Sequence, residues 1–317
     1  MNIKFVVSTL IVISMLAASF AVIGPPEFSD FSSSSIAAEI TGSSIVSPFS
    51  GNLTIYQNGS LSIAEAPISV SGHSYTLTGN IVGSLKMEAS SSTLNGNGYT
   101  IKGNHGLLPS LTVSNASGVR VSDLTVTSNN NTSSAVMLVN TSMDQFTDIN
   151  VSSAFQGIEI LNYTSAINIS DSRVSVGKGS LIDSGDILTG AQIGPDNLLG
   201  IGNHSNNISI YNDVLVNTGG LYAVLFNSSN STLKDSSISM TGKNNSKTGG
   251  SLVFISLQNY TTVSNNSISA RNVSLGAGFG GTVLGTTSST GDQFNGNSLK
   301  IVSPSYGGFG GGFCLRN

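Results

Sequence analysis

Charge is what this sequence most lacks. Charged residues fill 9% of its 317 positions, against about 25% in an ordinary soluble domain. The 12 Lys and Arg and 16 Asp and Glu are scattered singly and leave a formal net charge of -4. Without a basic cluster there is no electrostatic footprint for a phosphate backbone, so nucleic acid is not the expected partner. Trp is absent and Cys occurs once, at Cys314. A lone thiol excludes an internal disulfide framework and argues against a cysteine-based metal site of the zinc-finger kind. Past Ile23 there is also no apolar stripe of helical period, which disfavours a helical architecture.

Hydrophobic residues make up 38% of the chain and Gly contributes 37 positions. The polar content is carried by Ser, Thr and Asn, whose hydroxyls and amides do not change state with pH. That suits an acidic or otherwise harsh exterior, and equally a β-rich secreted protein that uses Ser and Thr in its strands.

The chain opens with Lys4 followed by an uncharged apolar run from Phe5 to Ile23, with Ser19 and Ala21 as small residues at positions a signal peptidase reads. Residues 1–23 therefore predict a secretory signal or, since about 19 apolar residues can span a bilayer, an uncleaved N-terminal anchor. The rest would lie outside the cytoplasm, touching a membrane only through that segment. Residues 24–42, Ser- and Pro-rich, read as a flexible spacer. Residues 43–84 alternate apolar and polar, as in Leu53-x-Ile55 and Ile68-x-Val70, and read as N-terminal strands and cap.

From 85 to 302 the sequence repeats itself. One strand has the form apolar-x-apolar-x-Asn and ends successively at Asn115, Asn140, Asn162, Asn203, Asn227 and Asn259. A second motif starts as Leu94-Asn95-Gly96-Asn97-Gly98-Tyr99-Thr100-Ile101 and recurs ending at Val126, Val151, Val176, Val216, Met240, Ala270 and Ile301. Most intervals are roughly 22 to 32 residues, and a longer one carries an insertion between Val176 and Leu199. Strands this short cannot bury a core alone, so each repeat needs copies above and below it. The expected fold is all-β: a right-handed, single-stranded parallel β-helix of about eight or more coils. The Gly- and Phe-rich tail, 303–317, would seal the last coil, pair with another subunit, or mark a chain that stops before its natural cap.

The Leu94 to Ile101 motif and the coils that follow resemble the right-handed parallel β-helix repeat proteins, the broad pectate-lyase-like group that includes NosD-type surface proteins. The resemblance spans roughly 85–302 and implies a fold more than a function, because that group holds lyases, hydrolases and surface proteins without activity. The polygalacturonase-type motifs Asn-Thr-Asp, Asp-Asp, Gly-His-Gly and Arg-Ile-Lys are missing here. His73, His105 and His204 are far apart in sequence and suggest no Ser-His-Asp arrangement. The resemblance thus implies an exported microbial surface protein with a structural, adhesive or carbohydrate-binding role, its partners surface polysaccharide or other surface proteins. The alternative it leaves is a polysaccharide lyase or glycoside hydrolase with a site near 177–200.

Three sets of residues carry candidate chemistry. The six aligned Asn share parity with the inward aliphatic residues and are expected to form an internal amide ladder. Each also begins an Asn-x-Ser/Thr triplet, of which the sequence holds 17. Because a glycan must face solvent, the off-register triplets at Asn52, Asn58, Asn130, Asn131, Asn150, Asn168, Asn207, Asn230, Asn244, Asn265 and Asn272 are the expected glycosylation sites. A second column, Asp123, Asp148 and Asp171, continues as Asn212, Asp235, Asn265 and Gly296. Its short side chains suit turn capping, with calcium bridging of the three Asp as the functional alternative and no other cofactor expected. Finally, the insertion carries Asp183, Asp186 and Asp196, which together with Glu159 are the candidate catalytic carboxylates.

Overall fold

In a computed structural model the described residues are 48–104, 106–177, 182–183, 205–218, 222–226, 228–241, 251–256, 259–271, 284–287, 290–302 and 313–316. All belong to one unit, Ser47–Asn317. The segments 1–23 and 24–42, and with them the signal or anchor, lie outside the described residues.

Every described element is a strand, and nearly all pairing is parallel, between one coil and the next. One face of the coil is a ten-stranded sheet in which one register column runs through Leu53, Leu85, Leu111, Val136, Ile158, Ile182, Val224, Val253, Leu284 and Phe313. The remaining strands form an 18-stranded sheet that a kink within each coil divides into two further faces. Arg120–Ser128 shows the kink: its first part pairs with Thr93–Asn95, its second with Thr100–Lys102, and Asp123 between them has no partner in the ladder. Along the second face run Val121, Phe146, Ile169, Ile210, Leu233 and Val263, and along the third Val126, Val151, Val174, Leu215, Ile238 and Ile268. These apolar columns of the second and third faces are buried, and burying each such side chain contributes roughly 1.5–3 kcal/mol. The all-β parallel β-helix expected from the repeats is thus the fold.

Parallel pairing also takes in strands outside 85–302. Leu53–Ile55 is already a rung, paired with Leu85–Met87, while an antiparallel hairpin, Ile68–Ser71 with Ser74–Leu77, lies between them. At the other end Phe313–Arg316 pairs with Leu284–Thr287, so part of the Gly- and Phe-rich tail is a coil strand.

The register also corrects several alignments: Val151 pairs with Val174 rather than Val176, and Val253 rather than Ile255 stands in the column of Ile158. Val176 pairs with Asn217 rather than Val216; in the aliphatic run Val214-Leu215-Val216, Leu215 is the residue turned inward. Val224 rather than Ala223 or Leu225 aligns with Ile158, again inside an apolar run without alternation. A one-residue slip moves every side chain to the other face, and such runs give parity no signal. Within the insertion, Ile182–Asp183 supplies the rung between Ile158 and Val224, and Leu199 to Asn203 lie outside the described residues.

Candidate functional site

The corners set what the faces can display. Between the first and second faces stands a column of residues with positive φ: Gly118, Met143, Ala166, Asn207, Asn230, Tyr260 and Gly291. Five residues further along each coil stands a second: Asp123, Asp148, Asp171, Asn212, Asp235, Asn265 and Gly296. The left-handed conformation costs most residues roughly 1–2 kcal/mol but suits Gly, Asn and Asp. The Asp column therefore follows from the backbone as well as from side-chain capping. Asp123, Asp148 and Asp171 are exposed at this corner in successive coils, with the Asn212 amide donating to Asp171 Oδ1 at 2.6 Å. Among the described residues no three His, Cys, Asp or Glu side chains gather as a metal would require.

The Asn column occupies a third corner. Asn115, Asn140 and Asn162 have positive φ and are exposed rather than inward. A ladder bond does form, from Asn140 Nδ2 to Asn115 Oδ1 at 2.7 Å, but on the outside of the wall. Parity predicts an inward side chain, yet the left-handed turn at the strand's end redirects it. Asn259 caps the next coil, its Oδ1 accepting from Thr290 N and Oγ1. Asn203 and Asn227 lie outside the described residues.

The inward polar ladder is one the sequence reading missed. It is formed by the residue after each left-handed Asp or Asn, where Leu124 and Ile149 give way to Ser172, Asp213, Ser236, Asn266 and Asn297. Each side chain accepts the backbone N–H one coil back: Ser172 N to Asp213 Oδ1 at 2.7 Å, Ser236 N to Asn266 Oδ1 at 2.9 Å, Asn266 N to Asn297 Oδ1 at 3.0 Å. Asp144 does the same one corner away, accepting Val119 N at 2.9 Å. The paired residues Asp171-Ser172, Asn212-Asp213, Asp235-Ser236 and Asn265-Asn266 were the available signal.

Of the candidate carboxylates, Glu159 and Asp183 are register partners in neighbouring coils of the first face. Glu159 is buried although it alternates with inward Ile158 and Ile160, and Ser134 Oγ donates to its Oε2 at 3.1 Å. Burial raises its pKa, with the Ser134 hydrogen bond opposing. Asp186 and Asp196 lie outside the described residues. Arg173 is on the third face, paired with Asn150 and Val214, and joins no cluster with Glu159.

Of the off-register triplets, Asn52, Asn58, Asn131, Asn150, Asn207, Asn230 and Asn265 are exposed. Asn130 and Asn168 are half-buried, whereas Asn244 and Asn272 lie outside the described residues.

A groove of about 430 Å³ lies on the second face, lined by Ala166, Asn168, Asn207, Ser209, Tyr211, Thr232, Lys234 and Asp235 among others. Its floor is the outward set of three consecutive strands: Asn168, Ser209 and Thr232 in one column, Tyr211 and Lys234 in the next. The Tyr211 side chain is 39% exposed, and Lys234 Nζ is neutralised by Asp235 Oδ2 at 3.2 Å. The result is an aromatic ring beside amides and hydroxyls, with little net charge.

No family model matches the chain, and no curated protein matches it. Similarity to solved structures is distant. An alginate lyase from Paenibacillus sp. str. FPU-7 has 13% identity and a TM-score of 0.41, over 81% of this chain and 99% of that one. The catalytic domain of a GH87 α-1,3-glucanase has 11% identity and a TM-score of 0.38, over 85% of this chain and 63% of that one, less than two thirds of its length. PfbA, a surface adhesin of Streptococcus pneumoniae, has 10% identity and a TM-score of 0.37, over 76% of each chain.

Proposed function

We propose that this chain is an exported surface β-helix protein whose second-face groove binds neutral carbohydrate, in an adhesive or structural role. The observation that carries the proposal is Tyr211 at the groove floor, ringed by Asn168, Asn207, Ser209 and Thr232. An exposed phenol ring offers its face to the C–H face of a sugar, and the amides and hydroxyls exchange hydrogen bonds with sugar hydroxyls. The groove volume is within the ~300–1,000 Å³ range of small-ligand sites. Because Lys234 is already paired with Asp235, no free cation selects an acidic sugar.

Binding of the full chain to a panel of neutral and acidic polysaccharides tests this. Tyr211→Ala is expected to weaken binding of a neutral glycan by tenfold or more, about 1.4 kcal/mol, while Gln293→Ala, outside the groove, leaves it unchanged. Retention of full affinity by Tyr211→Ala would sink the proposal.

A second reading rests on the adjacent positions of Glu159 and Asp183. Two acidic residues on neighbouring strands, one of them buried, are the raw material of a lyase or hydrolase site. On this reading the native chain cuts a polysaccharide and Glu159→Gln abolishes the cutting.

A further inference from the structure

Of the carboxyl groups built into the inward polar ladders, Asp144 and Asp213 are buried, 0% and 1% exposed, whereas Asp292, whose Oδ1 accepts Thr261 N at 2.9 Å, is half-buried. Counting hydrogens at each buried one identifies its state. Asn266 and Asn297 occupy the same column as Asp213 and show what the position requires. Their Oδ1 atoms accept a backbone N–H from the preceding coil. Their Nδ2 atoms donate to a carbonyl of that coil, Leu233 O at 3.0 Å and Val263 O at 2.8 Å. Asp213 Oδ1 makes the first bond, from Ser172 N at 2.7 Å. Its Oδ2 is buried and lacks a hydrogen-bond partner. By register, the carbonyl equivalent to Leu233 and Val263 is that of Ile169. The column therefore places a donor on that second atom, and a carboxyl group donates only when it carries a proton.

Asp144 gives a similar count. Its Oδ1 accepts Val119 N, and its Oδ2 lies 2.5 Å from Thr141 Oγ1, which is also 2.9 Å from Ala116 O. A threonine hydroxyl has one proton. Both contacts are hydrogen bonds at once only if Thr141 donates to Ala116 and Asp144 donates to Thr141.

Among the described residues no cation pairs with either group. The titratable side chains on the strands and corners packed around Asp144 are Arg120, Asp123, Asp148, Tyr163 and Asp171. Those around Asp213 are Asp171, Arg173, Tyr211, Lys234 and Asp235. All nine are exposed, and among the described residues the ion pairs are Lys86 with Glu88 and Lys234 with Asp235.

We infer that Asp144 and Asp213 are structural carboxylic acids, each holding a proton as a hydrogen-bond donor in the wall, so that the coil stack is an acid-favouring fold. Desolvation agrees in direction. Burial raises Asp144 to about 6, opposed by its hydrogen-bond contacts with Thr141, Val119 and Gly118. It raises Asp213 to about 7, with repulsion from Asp171 adding and hydrogen bonds from Ser172 and Tyr211 opposing. Both values stand above the ordinary 3.8, so the folded chain keeps protons that the unfolded chain releases. The favourable contribution is complete below about pH 4 and is lost as pH rises through about 6 and then about 7, by up to about tenfold in the folding equilibrium constant per pH unit for each group.

Urea unfolding of the full chain between about pH 4 and pH 8 tests the inference through the linkage slope, with Asp213→Asn, Asp144→Asn and the double variant alongside. The wild-type folding constant is expected to fall with rising pH. Asp213→Asn, which copies Asn266, should flatten the profile near neutrality and exceed the wild type at the upper end. Profiles that run parallel in all four proteins would overturn the inference. If the variants fail to fold, the infrared spectrum of Glu159→Gln, which removes the other carboxyl that burial raises, decides. A protonated-carboxyl band persisting there near pH 5.5, about where exposed Asp and Glu are ionised, supports the inference, and absence of the band overturns it.

Discussion

Single residues decide this fold at its corners. Asp148 sits in a left-handed turn with Asp123 and Asp171 in the coils on either side, so its conformation matters more than its charge. Asp148→Ala is expected to cost about 1 kcal/mol, and Asp148→Gly or Asp148→Asn close to nothing. Urea midpoints with and without a chelator check this. If Asp148→Asn were as damaging as Asp148→Ala, and the chelator destabilised only the wild type, a bound cation would have to be restored to the corner. The Asp column was legible in the sequence because Asp, Asn and Gly alternate in it at one position. That the Asn column faces outward was not legible, since period-two parity cannot register a left-handed residue that turns the side chain at a strand's end. Asp144 and Asp213 went unread for a different reason. Nothing local distinguishes a buried Asp that accepts an N–H from the next coil from an exposed Asp in a turn.

At the scale of the element, each strand contributes two or three inward residues, and its position is fixed by neighbours a coil away. Ile210 is fully buried between Ile169 and Leu233. Ile210→Ala should destabilise by about 2–5 kcal/mol, whereas Ser209→Ala, on the groove side of the same strand, should stay within about 0.5 kcal/mol while weakening glycan binding. Coil-to-coil approach adds a constraint of its own at Gly96, where a Cβ would collide with Asp123 O and lie 2.6 Å from Leu124 Cα. Backbone atoms cannot yield as a flexible side chain would, so Gly96→Ala is expected to cost about 1–3 kcal/mol, read as a lowered denaturation midpoint. The strand pattern was legible wherever apolar and polar residues alternate, as from Arg120 to Ser128. It failed at 214–216 and 222–226, where consecutive apolar residues fit either face and only pairing with the next coil chooses between them.

For the molecule as a whole, hydroxyls and amides supply the exterior while a few buried carboxyls supply its pH dependence. The repeats made the parallel stack readable. The groove was not readable, because Asn168, Tyr211 and Thr232 are separated in sequence by insertion and turn and meet only once the coils are stacked. The insertion drew attention because it interrupts the repeat, although its contribution to the described wall is one short rung, Ile182–Asp183. Hydrogen exchange of the full chain, with and without a bound neutral glycan, addresses the functional account most directly. Protection confined to the strands of the groove, Ser165–Ser170, Asn206–Tyr211 and Thr232–Lys234, is the predicted result. Protection centred instead on Gln156–Leu161 and Ile182–Asp183 would contradict it and move the ligand to the carboxylates of the first face.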